Sequence, residues 1–185
     1  MPIEPQLSSR KMHNDDTLPA IKDVVAGLHW DPPPEGVKAT ADLDLLCVLF
    51  DAQGKVLEVV HSGRPRGVND CIVHTGDSRT GASVWDDERI FVFTQALPAS
   101  VAKFAFFVLS ANGQPFDAIP GACCHVSDYA SEEERVRTDL TALAGATEMT
   151  VAMLVRREDA WSLVTDMGVL HTGLLAELRR LSSSK

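Results

Sequence analysis

Short runs of apolar residues, some alternating with polar ones and some wholly apolar, recur along the chain with turn-forming clusters between them. This pattern predicts strands near Ile21–His29, Asp42–Phe50, Lys55–His61, Cys71–Thr75, Arg89–Thr94 and Lys103–Ser110. Three more follow near Ala122–Val126, Thr147–Arg156 and Trp161–Asp166. Asp51 to Gly54 and Ser110 to Gly113 read as turns between strands, because glycine tolerates positive φ and Asp or Asn side chains bond to the backbone nearby. Leu97 to Val101 reads as one helical turn begun around Pro98, and Gly173 to Leu181 as a short C-terminal helix with Leu174, Leu175 and Leu178 on one face. Ser131 to Leu143 is ambiguous, since Ser131 with Glu134 resembles a capping box while strand structure is equally compatible. Many short strands and few helices indicate an all-β fold, a two-sheet antiparallel β-sandwich with short peripheral helices. The polar, proline-bearing stretch from Met1 to about Asp16 is expected to be loosely ordered, with residues 17–185 forming one domain.

One strand changes the picture. Asp42 to Phe50 is apolar on both faces beyond its first residues, so it should lie inside a sheet covered on both sides. Asp42 and Asp44 point the same way, about 7 Å apart along the strand, on the face continued by Leu46, Val48 and Phe50. Desolvated carboxylates either hold their protons or find a counter-charge, and no Lys or Arg adjoins these two in sequence. A second acidic element lies between His74 and Glu88. There a loop of small and polar residues containing Asp77 leads to three consecutive carboxylates, Asp86, Asp87 and Glu88, just before the apolar run Ile90–Phe93. A hard cation with oxygen ligands, Ca²⁺ above all, would neutralise such a set. The pattern is not an EF-hand, because Leu45 and Leu46 stand where that loop needs oxygen donors and a glycine.

These residues resemble a known family. Leu28-His29-Trp30-Asp31, Asp42-Leu43-Asp44, His74-Thr75-Gly76-Asp77, Arg79-Thr80-Gly81 and Asp86-Asp87-Glu88 stand in the order and spacing of the TerD family of tellurium-resistance and stress proteins. Arg137 to Leu140, Glu148-Met149-Thr150 with Met153, and Trp161 followed by Gly168 fit its C-terminal half, so the resemblance runs from about Ile21 to Leu170. It implies a compact β-sandwich that binds calcium through acidic loops at one end, in a cytoplasmic stress system with no defined catalytic reaction. The ligand set it implies is Asp42, Asp44, Asp77, Asp86, Asp87 and Glu88, with Asn69 or a backbone carbonyl completing the shell. His74 is expected to order the loop by hydrogen bonding, with a ligand role left open. The implied partners are other stress-system proteins, with self-association left open.

The chain also departs from the family. Gly81 to Trp85 stands where a Gly-Glu-Gly-Asp-Gly run is usual, so two acidic positions have become Ala82 and Val84 and two glycines Ser83 and Trp85. Asn69 and Cys71 stand where an acidic and a small residue are usual, and Ser78 replaces a usual Asn. Fewer carboxylates and a stiffer loop should weaken calcium binding or leave one site. The alternative is a metal-independent scaffold in which the altered loop has lost the ion and Trp85 supplies an exposed contact.

Composition adds exclusions. Lys plus Arg number 17 against 26 Asp plus Glu, a net charge of −9, which argues against nucleic acid or an anionic membrane as the main partner. The longest apolar stretch, Ile90 to Leu109, is interrupted by Gln95, Pro98 and Lys103, so no membrane span is expected. Pro2, Glu4 and Pro5 near the N-terminus do not read as a secretory signal. Cys47, Cys71, Cys123 and Cys124 lack zinc spacing and are expected to be reduced packing residues, with Cys123 and Cys124 on opposite faces of a strand. No nucleophile elbow, phosphate loop or His-Glu-x-x-His is present, and no catalysis is expected.

Overall fold

The computed structural model describes residues 21–38, 40–164 and 172–182. Ten strands form two five-stranded antiparallel sheets. In chain order they are β1 (Val24–His29), β2 (Leu43–Phe50), β3 (Val56–Val60), β4 (Ile72–His74), β5 (Glu88–Val92), β6 (Lys103–Ser110), β7 (Cys123–Asp128), β8 (Glu134–Asp139), β9 (Glu148–Arg157) and β10 (Ala160–Val164). A single α-helix, α1 (Thr172–Ser182), follows among the described residues. The first sheet runs β4-β5-β1-β7-β8 and the second β10-β9-β6-β2-β3, so the expected all-β sandwich is the fold observed. The N-terminal segment expected to be loosely ordered lies outside the described residues.

β2 shows why the sequence folds this way. All eight of its residues are buried. Leu43, Leu45, Cys47 and Leu49 enter the core between the sheets, against Leu28, Ile90, Phe104, Phe106 and Val126. Leu46, Val48 and Phe50 face outward, where they meet Ala105, Phe107 and Leu109 of β6 and are covered by Leu178 and Leu174 of α1. The apolar run is therefore two-sided because the helix makes a second, thinner core on the outside of the sheet. Burying each such Leu, Val or Phe contributes about 1.5–3 kcal/mol, so the helix is held by its Leu stripe and not by its own propensity. The outer face of the first sheet has no helix on it among the described residues.

Most boundaries shift by a residue or two, and three expectations change by more. β1 starts at Val24, with Ile21 joined only by a bridge to Trp161. The helical turn expected at Leu97–Val101 is a pair of turns, a 3₁₀ turn at Thr94–Ala96 and a backbone bond from Val101 N–H to the Pro98 carbonyl. The ambiguous segment is strand β8 followed by a 3₁₀ turn at Leu140–Ala142. The capping-box signal there serves a hairpin instead: Asp128 Oδ1 accepts from the Ala130 and Ser131 amides, and Ser131 Oγ donates to it at 3.0 Å.

Candidate metal centre

Asp42 immediately precedes β2, and its carbonyl accepts from Ala111 N–H at 2.8 Å, which ties the strand's entry to the turn after β6. Asp44 lies within β2 and is buried. Asp77 comes from elsewhere, the long loop joining β4 to β5 in the other sheet. One carboxylate oxygen from each of Asp42, Asp44 and Asp77 lies within 4.8 Å of the other two. Oxygens that share one Ca²⁺ at 2.3–2.6 Å can stand no further than about 5 Å apart, so the trio has the spacing that such an ion requires. The donors are hard oxygens, which suits Ca²⁺ and not a soft metal.

A cation is already present at its edge. Arg79 Nε donates to Asp77 Oδ2 at 2.7 Å, and the Asp77 carboxylate in turn holds the guanidinium above its ordinary range, with Asp42 adding to the effect. Arg79, two residues beyond Asp77 in the same loop, thus brings a counter-charge to Asp77 and, at longer range, to Asp42.

The three consecutive carboxylates behave differently from the trio. Asp86 turns to the outer face of the first sheet, where Arg89 Nε donates to it at 2.7 Å and His125 Nε2 lies at 3.1 Å. Burial opposes its ionisation, but the His125 hydrogen bond and charge, with those of Arg89, hold its carboxyl below the ordinary range. Gly27 makes this meeting possible: a Cβ there would stand 2.3 Å from His125 Nε2 and 2.5 Å from Asp86 Oδ2. Asp87, with a fully buried side chain, accepts from Trp30 N–H at 3.0 Å and Ser83 N–H at 3.2 Å, and His29 Nδ1 lies 3.2 Å away. His29 Nδ1 also donates to the Trp85 carbonyl at 2.8 Å. Glu88 is buried and accepts from Leu45 N–H at 2.9 Å and Ser78 N–H at 3.2 Å. Burial pushes its carboxyl up, against the opposing pull of His74 and the two amides. Asn69 sits with φ 51° in the 3₁₀ turn before β4, at the opposite end of that strand from the Asp77 loop.

Of the seven residues singled out, the structure brings Asp42, Asp44 and Asp77 together, gives Asp86, Asp87 and Glu88 separate protein partners, and leaves Asn69 apart. His74 orders the loop as expected, its Nδ1 accepting from Gly76 N–H at 2.9 Å. Gly81, at φ +60°, lets the loop lie on Trp30, whose ring atoms would be 2.5 Å from any Cβ. Val84 and Trp85, beyond it, are 90% and 76% exposed. Sequence reasoning missed His125, for which the only signal was its sharing a strand face with Cys123. Those two residues line, with Trp85, Asp86, Arg89 and Arg137, an outer cleft of about 350 Å³. Cys124 points to the opposite face and is fully buried, which drives its thiol far above the range of a reactive cysteine. Cys123 is raised by burial as well, although Arg137 Nη1 donates to its sulfur at 3.4 Å.

Comparison with known proteins matches this architecture to one family. The TerD domain family model matches residues 9–180. Tellurium resistance protein TerZ of Serratia marcescens is 33% identical over 150 residues, covering 77% of each chain. General stress protein 16U of Bacillus subtilis is 29% identical over 177 residues, covering 91% of each. The crystal structure of a homologue of telluride resistance protein (TerD) from Streptomyces coelicolor A3(2) superposes with a TM-score of 0.70 at 25% identity, over 78% of this chain and 87% of that one.

Proposed function

The chain belongs to the TerD family, and from that premise we propose that it is a non-catalytic calcium-binding module of a cytoplasmic stress or tellurium-resistance system. The observation that carries this reading is the convergence of Asp42, Asp44 and Asp77 from two sheets onto one point. Asp42 and Asp44 are held at the start of β2, and Asp77 by a loop whose backbone is bonded on both sides, so these residues would hold the ion. Carbonyls and water would complete the six to eight oxygens that Ca²⁺ takes. Bound there, calcium supplies charge neutralisation and a cross-link between the sheets. The residues around it then present the acidic end in one geometry to a partner protein. Ala82 and Val84 put no carboxylate into the loop, so a single, weak site is the expectation.

Thermal unfolding in EDTA, in excess Ca²⁺ and in excess Mg²⁺ tests this. An ion bound only by the native state at about a hundred times its Kd adds roughly 2.7 kcal/mol. At about 2–4 °C per kcal/mol for a chain of this size, the rise in Tm is easily measured. Equal midpoints in all three conditions would remove the calcium reading, and two tight ions in a titration calorimeter would remove the single weak site.

A second reading has its own support. The exposed Val84–Trp85 pair is a large apolar projection at the loop tip, of the kind that anchors protein contacts, and it would suit a metal-independent scaffold. Trp85→Ala abolishing partner capture with calcium affinity unchanged would favour it.

A further inference from the structure

His74 and Glu88 have wholly buried side chains, and their hydrogen bonds follow one pattern. Glu88 accepts from Leu45 N–H through Oε2 and from Ser78 N–H through Oε1. His74 Nε2 donates to the Leu45 carbonyl at 3.1 Å, while its Nδ1 accepts from Gly76 N–H at 2.9 Å. Leu45 directly follows Asp44, and Gly76 and Ser78 flank Asp77. Each of the two side chains therefore grips one backbone group beside Asp44 and one beside Asp77. They also touch each other, with His74 Nε2 3.4 Å from Glu88 Oε2.

The topology explains why such a device sits here. Asp44 belongs to the second sheet and Asp77 to a loop of the first, and no backbone ladder joins the two sheets among the described residues. β3 pairs with β2 only from Cys47 onward, so the amide and carbonyl of Leu45, two residues earlier, lie beyond the end of that partner strand. Residues two apart on a strand turn their hydrogen-bonding edge to the same side, so His74 and Glu88 occupy the place that β3 vacates. Apolar packing between sheets is non-directional and fixes no oxygen position. A metal centre needs its donors placed to within about 0.2 Å, which directional bonds to buried groups can supply.

We propose that His74 and Glu88 form a latch between the sheets that sets the spacing of Asp42 and Asp44 relative to Asp77, and that Glu88 is a positioning residue and not a ligand. Its consequence for affinity rests on the calcium reading above, whereas the latch itself exists without the ion. Groups that orient a metal's ligands in this way change metal affinity by about 10- to 100-fold when altered.

The test combines amide hydrogen exchange in EDTA with calcium titration on the full chain, Glu88→Gln and His74→Phe. Glu88→Gln keeps the volume but retains one acceptor oxygen, so it cannot serve both amides. The expected result is loss of protection at Leu45 and at Gly76 and Ser78 together, native protection along β6, and a calcium Kd raised about tenfold or more. Asp44→Asn, the control, should abolish calcium binding and leave the exchange pattern intact. A folded Glu88→Gln with wild-type calcium affinity overturns the latch, as does loss of protection confined to one sheet. Should His74→Phe fail to fold, the near-isosteric Glu88→Gln decides alone. A wild-type chain that takes up no calcium overturns the calcium reading only, and the coupling of exchange across the two sheets still decides the latch.

Discussion

Two groups of three carboxylates lie at the same end of this molecule and meet opposite fates. Asp42, Asp44 and Asp77 are widely separated in sequence and converge, with oxygens within 4.8 Å of one another. Asp86, Asp87 and Glu88 are consecutive and diverge: the first to His125 and Arg89, the second to the amides of Trp30 and Ser83, the third to those of Leu45 and Ser78. Adjacent charges repel along a chain, but a folding chain can deliver a different donor to each. Each of the three then has donors of its own on the protein. The converging trio has Arg79 at its edge as an opposing charge, and that residue lies on the exposed side. Carboxylates that take donors from separate elements brace the loop, and the proposed cation site rests on the ones that the fold gathers.

The largest expected effect breaks the bracing side of this contrast. Asp87→Ala strands the amide of buried Trp30, at about 1–3 kcal/mol for an unsatisfied group, so Tm in EDTA should fall by roughly 2–12 °C. Added calcium should not alter the size of that drop. An unchanged midpoint would show that Asp87 does not brace the loop.

The site side comes next. Asp44→Asn should cost little in EDTA, because it removes one of three mutually repelling charges, while abolishing the calcium-induced gain of roughly 2.7 kcal/mol. Unfolding scans with and without calcium separate the two effects, and a retained calcium shift would move the ion to other residues.

Acid distinguishes the groups more finely. Asp86 is held below its ordinary value of 3.8 because His125 and Arg89 outweigh the burial that opposes its ionisation. A carboxyl depressed in the folded state contributes stability that is present above its unfolded pKa and is lost as pH falls through the folded one. Wild-type Tm should therefore fall more steeply than that of Asp86→Asn as pH drops below about 4. Parallel curves at every pH would show that the His125–Asp86 contact is energetically idle.

The smallest effect sharpens the idea of a resident counter-charge. Arg79 competes with any ion for Asp77, so Arg79→Ala should tighten calcium by about twofold, a modest change suited to an exposed pair. Weaker binding in the variant would instead make Arg79 an organiser of the loop.

Much of this is legible in the amino-acid sequence alone. The double-sided apolar run of β2 predicts cover on both faces, and the leucines of α1 provide the outer one. Asp42 and Asp44 share a side by simple alternation, and the family resemblance points to His74 as a loop organiser. Treating Asp86, Asp87 and Glu88 as one acidic cluster rests on adjacency, and adjacency says nothing about donors arriving from β1, β2 and β7. The strand at Glu134–Asp139 is obscured for a related reason: Ser131 carries a local helix-start signal, but pairing with β7 decides the outcome.

By itself, then, the sequence determined the strand periodicity, the all-β class and which residues could be buried, since these depend on the short-range geometry of the chain and on transfer of apolar groups out of water. Tertiary structure alone decided which carboxylates meet each other and which meet amides and imidazoles. Hydrogen bonds and charge pairs act over a few ångströms between groups remote in sequence, so their partners exist only after two sheets have closed on one another.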